Sequence, residues 1–94
     1  MPRAAKGVEI VRVTPENADQ LITLITELAS FEKLDPPTAE ARDRLRQHVT
    51  SDPALFHAFL GYIDGRAVGY ITYYFTYSTF LAAPTLFLDD IYVQ

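Results

Sequence analysis

The sequence predicts an α+β domain built in the order strand, helix, helix, strand, strand, strand, around a mostly antiparallel sheet. Three observations carry that prediction. Eleven of the twelve Phe and Tyr residues lie from Phe56 onward, with only Phe31 before it, so helix-like and sheet-like halves meet near residue 55. Between Ala18 and Ala29 the apolar residues recur at three- and four-residue spacing, which makes one helical stripe. Asp64-Gly65 then stands between two apolar runs, and such a dipeptide signals a tight hairpin. Connections this short cannot hold parallel crossovers, so the later strands should pair antiparallel.

Val8-Glu9-Ile10-Val11-Arg12-Val13 alternates as a short strand, with Val8, Ile10 and one of Val11 or Val13 expected inward. Thr14-Pro15-Glu16 reads as a helix start, with a hydroxyl cap, a proline in the first helical position and an acid in the first turn. Ala18, Leu21, Ile22, Ile25, Leu28 and Ala29 form the buried stripe of this helix. It should run to about Glu32, where Asp35-Pro36-Pro37 stops it. Thr38 can cap a second helix through about Val49, turning Ala41, Leu45 and Val49 inward. His57 to Ile63 is a strand, and Arg66 to Tyr77 returns from the Asp64-Gly65 turn. A loop from Ser78 to Pro84 leads to a last strand from Thr85 to Val93.

Ninety-four residues suit one small domain that buries roughly 60–65% of its unfolded surface. The chain is 49% hydrophobic and 21% charged, which excludes disordered and collagen-like classes. No apolar run reaches the roughly 18 residues that a membrane span needs. The basic N-terminus lacks the apolar stretch of a secretory signal. An absence of cysteine rules out disulfides and thiolate metal sites and suits a cytoplasmic protein. The net charge of −4 argues against a nucleic-acid partner. From Ala67 to Gln94 there is no Lys or Arg, while Asp89 and Asp90 lie inside that stretch. An acidic pair in an aromatic, cation-free segment suits a positively charged small molecule, although composition alone fits a simply acidic surface better.

Two carboxylates in an otherwise apolar strand need a reason, since a buried one costs several kcal/mol unless paired or hydrogen-bonded. Adjacent strand residues point to opposite faces, so both acids reach one cleft only if a bulge re-aims one of them. His48 and His57 have no third ligand at metal spacing, and we expect no metal site. The sequence contains no Ser-His-Asp arrangement, phosphate-binding P-loop or dinucleotide fingerprint.

Three stretches carry a resemblance: Glu27-Leu28-Ala29-Ser30-Phe31-Glu32-Lys33-Leu34, Tyr73-Tyr74-Phe75-Thr76-Tyr77-Ser78-Thr79-Phe80, and Phe87-Leu88-Asp89-Asp90-Ile91-Tyr92-Val93. In this order and spacing they resemble the diamine and thialysine acetyltransferase branch of the GNAT superfamily, relatives of spermidine/spermine acetyltransferase. The resemblance runs from Val8 to Val93 and implies the N-terminal half of a single GNAT domain, residues 1–94. Its C-terminal half, with the Gly-rich pyrophosphate loop and the Tyr that protonates the leaving thiolate, would lie beyond Gln94.

The resemblance implies acetyl transfer from acetyl-CoA to a primary amine, by a homodimer, with these 94 residues alone inactive. It places Asp89 in the family's acidic position, usually Glu, as base or water-holder, and one methylene less favours a relaying water. It gives Asp90 the task of drawing in the substrate cation. Phe31, Glu32, Tyr77, Ser78 and Phe80 would line the amine site, and the backbone of Ile91, Tyr92 and Val93 would lie along the cofactor arm. Ser78 stands where polyamine-acetylating members tend to carry Asp, which favours a shorter or lysine-like amine. Tyr70, Tyr73, Tyr74 and Phe75 read as sheet core or interface, with no chemistry assigned. The rival expectation is a non-catalytic half-domain that dimerises through its terminal strand, since an apolar edge is a pairing hazard.

Overall fold

The structure, a computed structural model, describes residues 7–94; the basic residues 1–6 lie outside them. The elements are β1 (Val8–Arg12), α1 (Ala18–Phe31), α2 (Ala39–Thr50), β2 (His57–Ile63), β3 (Arg66–Ser78) and β4 (Ala83–Val93). The four strands form one sheet in the order β1-β2-β3-β4, and every pairing is antiparallel. The expected α+β class and element order both hold.

The first helix starts later than Thr14-Pro15-Glu16 suggests. Its cap position is Asn17, whose side chain caps no helical N–H. The Asn17 side chain turns back instead: Oδ1 accepts from the Thr14 N–H at 2.7 Å and Nδ2 donates to the Arg12 carbonyl at 3.1 Å. Residues 14–17 thus brace the exit from β1 as a side-chain-closed turn, a conformation in which Asn competes with the helix. Thr38 behaves as expected, its hydroxyl accepting from the Ala41 N–H at 3.1 Å.

At the other end of α1 the backbone closes on itself. The Leu34 N–H donates to the Ala29 carbonyl at 2.8 Å and the Lys33 N–H to the Ser30 carbonyl at 3.1 Å. Lys33 occupies the left-handed region with φ 59°, the position usually given to glycine in this motif. Asp64 and Gly65, with φ 52° and 77°, make the expected hairpin turn, in which both central residues need positive φ. The β3–β4 connection is tighter than the loop expected from Ser78 to Pro84. Pairing continues to Ser78 opposite Ala83, and Ala82 turns the corner with φ 54°.

Leu21, Leu24 and Leu60 are wholly buried, and Val13, Ala18, Val49, Ala58 and Tyr70 complete the cluster between the helices and the sheet. Leu24 was not on the expected stripe but lies one turn after Leu21. The opposite sheet face has no covering layer among the described residues. Ile10, expected inward, is therefore 43% exposed there, although it keeps the strand alternation that buries Val13. Phe59 and Tyr73 stack on that face with ring centres 6.2 Å apart, and the Arg12 guanidinium sits 4.9 Å above the Phe59 ring. His57 stacks on Tyr73 at 5.1 Å. Among the described residues no group of His, Cys, Asp or Glu could hold a metal ion, and no helix is long and apolar enough to cross a membrane.

Candidate active site

The long β3–β4 hairpin is regular except at one point. Thr72 faces Asp90, while the next residue of β3, Tyr73, faces Leu88. Asp89 is therefore the extra residue of a β-bulge, and it has no cross-strand partner. Without the bulge the alternation would send Asp89 and Asp90 to opposite faces. With it, the alternation is reset: Asp90 shares a face with buried Thr72, and beyond the bulge Phe87 returns to that face and stacks on Tyr74 with ring centres 5.2 Å apart.

The electrostatics show which groups gather there. The Asp90 carboxyl is held above the usual carboxylate range, first by partial burial, then by the charges of Asp89 and Glu32. The Tyr70 phenol is pushed up by its own burial and then by Asp90, Asp89 and Glu32, with Tyr92 adding a little. Carboxylates from β4 and from the end of α1 thus converge on one buried ring. Mutual repulsion of like charges with no cation among them is the condition that favours binding a positive group.

Glu32 reaches this cluster because the turn at Lys33 ends α1 there, its own N–H donating to the Leu28 carbonyl at 2.9 Å. Phe31, the last residue of α1, is 78% exposed. Tyr77, Ser78 and Phe80 stand apart from the acids. Tyr77 pairs with Pro84 and Ser78 with Ala83, five and six residues along β3 from Thr72, or roughly 16–20 Å at the strand rise. The Ser78 hydroxyl accepts from the Leu81 N–H at 3.2 Å and so braces the turn, and Phe80 at the tip is wholly exposed. Asp89, Asp90 and Glu32 feel one another's charge partway along the hairpin, while Tyr77, Ser78 and Phe80 stand at its tip.

Beyond the bulge, β4 is an edge strand among the described residues. The Gln94 N–H donates to the Val68 carbonyl at 2.8 Å, and the Tyr92 carbonyl lies so near Gly69 that a Cβ there would meet it at 2.7 Å. The backbones of Tyr92 and Gln94 therefore face β3. By ladder alternation, Ile91 and Val93 turn their N–H and C=O groups to the open edge. The Tyr92 ring packs on the core, and its hydroxyl lies 3.5 Å from Glu27 Oε1. Of the three residues expected along the cofactor arm, two present free backbone and one does not.

Sequence reasoning gave Tyr70 and Thr72 no role. Both are 4% exposed, and neither hydroxyl has a hydrogen-bond partner. The strand register alone could have flagged them, because it sets Thr72 opposite Asp90.

No protein-family model matches the chain. It is 35% identical over 89 residues to thialysine N-epsilon-acetyltransferase of Caenorhabditis elegans, covering 95% of this chain and 54% of that protein. The mouse protein of the same name is 33% identical over 82 residues, covering 79% and 48% respectively. The crystal structure of a probable acetyltransferase superposes with a TM-score of 0.76 at 23% identity, over 92% of this chain and 57% of the other. The chain falls in the GNAT superfamily of N-acetyltransferases. Within it, the thialysine branch supplies the curated relatives named above. This GNAT chain spans about half the length of the relatives it matches.

Proposed function

We propose that the protein carrying this chain transfers an acetyl group from acetyl-CoA to a primary amine, with a thialysine or lysine-like amine, a diamine or a polyamine as acceptor. The supporting observation is the bulge at Asp89, which lets Asp89, Asp90 and Glu32 act on one locus. The amine arrives as an ammonium ion. Asp90 and Glu32 attract it, and Phe31 offers an apolar surface to its alkyl part. Before attack, nitrogen must lose a proton, and Asp89 accepts it through a water. Nitrogen then bonds to the thioester carbonyl carbon, the C–S bond breaks, and the thiolate leaves. The outward peptide groups of Ile91 and Val93 suit the amide-bearing arm of acetyl-CoA. Tyr77, Ser78 and Phe80 belong to this reading only where a long acceptor, or a second copy, spans the hairpin. We assign the protein to the cytoplasm.

Assaying acetyl transfer to thialysine, lysine, diamines and spermidine tests the reading, and no turnover on any primary amine would remove it. A second reading draws on the exposed edge: Leu86, Phe87, Leu88, Ile91 and Val93 are 46–69% exposed along β4. Such an edge suits a half-domain that dimerises without catalysis. Sedimentation of the 94-residue chain separates the two, because a stable dimer with no activity in any longer form favours the second.

A further inference from the structure

Glu27 lies on α1, five residues before Glu32. Its Oε1 accepts from Gln94 Nε2 at 2.8 Å and from the Tyr92 hydroxyl at 3.5 Å. Among the described residues these are the only hydrogen bonds that join α1 to β4 and the residue after it. One carboxylate oxygen carries the polar link between the helix that ends at Glu32 and the strand that bears Asp89 and Asp90. The ladder runs unbroken from Asp90 to Tyr92, so their side chains take one face, the face on which Tyr92 packs against the core. Five residues of helix span roughly 7.5 Å, and two residues of strand roughly 7 Å. The step from Glu27 to Glu32 along α1 therefore matches the step from Tyr92 back to Asp90 along β4, and the charge of Glu32 does reach Asp90.

We propose that Glu27 is a positioning residue that latches α1 to β4 and so sets the gap between Glu32 and the pair Asp89 and Asp90. It acts through Tyr92 and Gln94 and touches no substrate itself. Packing of the Tyr92 ring on the core holds the two elements together, but such contact is non-directional and lets them slide. Hydrogen bonds to one oxygen are directional and fix how far α1 runs along β4. That an ammonium ion enters the gap rests on the amine-acetyltransferase reading, whereas the latch does not.

The test compares Glu27→Ala, which removes the acceptor, with Glu27→Gln, which keeps an oxygen there and loses only the charge. In the chain the reporter is a carbon-13 titration of the Asp90 carboxyl, which burial, Asp89 and Glu32 hold high. Glu27→Ala frees α1 to slip, and with less burial and a more distant Glu32 the Asp90 midpoint is expected to fall toward the ordinary carboxylate range. Glu27→Gln is expected to keep the parent midpoint. An unchanged midpoint in Glu27→Ala overturns the proposal, as does an equal fall in Glu27→Gln. Should Glu27→Ala unfold, Gln94→Ala, which removes the nearer donor, must lower the midpoint or the proposal fails. In the protein that carries the chain, Glu27→Ala is expected to raise KM for the amine by about tenfold, more than it lowers kcat. Glu27→Gln should restore the parent KM, and an equal rise in both variants overturns the latch in favour of a simple charge effect. A fallen midpoint in a protein that acetylates no amine leaves the latch standing and removes the acetyltransferase reading instead.

Discussion

Thr72 stands opposite Asp90, and the residue after it stands opposite Leu88; this one-residue slip is what frees Asp89 from the ladder. A bulge bends its strand and re-aims side chains. Here it does so where two acids lie within reach of the charge of Glu32, at the end of α1.

The first prediction concerns Asp89. Its side chain is exposed and its backbone has no cross-strand partner, so Asp89→Asn is expected to leave the unfolding midpoint within about 0.5 kcal/mol of the parent. If Asp89 handles the amine proton, the same change lowers kcat by roughly 10²–10⁴-fold. Steady-state kinetics beside urea unfolding check both halves.

Asp90 yields a pH-dependent prediction. Its folded carboxyl titrates above the ordinary range, through burial first and then Asp89 and Glu32. The protonated form is therefore the one the fold prefers. Its contribution to stability is fully present below the unfolded pKa and is lost as pH rises through the raised folded value. Asp90→Asn is expected to stabilise the chain at neutral pH, with the gain vanishing below the ordinary carboxylate range. Thermal unfolding at several pH values reads the sign directly, and a gain that persists in acid contradicts it.

Lys33 holds a left-handed conformation, φ 59°, at the turn that ends α1. A residue with a Cβ is strained there by roughly 1–2 kcal/mol, partly offset by the greater freedom of glycine in the unfolded chain. Lys33→Gly is expected to stabilise by a few tenths to about 1 kcal/mol. Equilibrium unfolding in urea measures it, and a loss of stability would mean that the Lys33 side chain makes an unrecognised contact.

Gly69 gives the opposite expectation. An added Cβ would meet the Tyr92 carbonyl at 2.7 Å and Val93 Cγ2 at 3.3 Å, and the first is backbone that cannot rotate away. Gly69→Ala should push β4 outward and destabilise by about 1–3 kcal/mol. Hydrogen exchange of the Gln94 amide, which donates to Val68, should quicken in step.

Leu21, wholly buried between α1 and the sheet, sets the scale for the core. Leu21→Ala is expected to cost about 2–5 kcal/mol. A smaller loss, read from unfolding in urea, would mean that the neighbouring helices collapse onto the gap.

Much of this chain was legible as a sequence because the signals are local. Thr38 caps α2, Asp64-Gly65 turns the first hairpin, and the spacing of Leu21, Ile22 and Ile25 turns one helical face inward. Each depends on backbone geometry within a few residues. The start of α1 was misread because Asn17 bonds back to Arg12 and Thr14, and a side chain has a choice of partners that spacing does not rank. Ile10 was misread because strand alternation names a face but does not say whether that face is covered.

What the sequence determined by itself is the order of elements, the antiparallel meander, and the placing of two carboxylates in an apolar terminal strand. Tertiary structure decided which face those carboxylates take, because register is a relation between strands. One unpaired residue, Asp89, reverses every side chain beyond it. It likewise decided that Glu32 joins the acids and that Tyr77, Ser78 and Phe80 stand at the far end of the hairpin. Convergence of this kind depends on distances between segments, and those exist only once the sheet and α1 have packed.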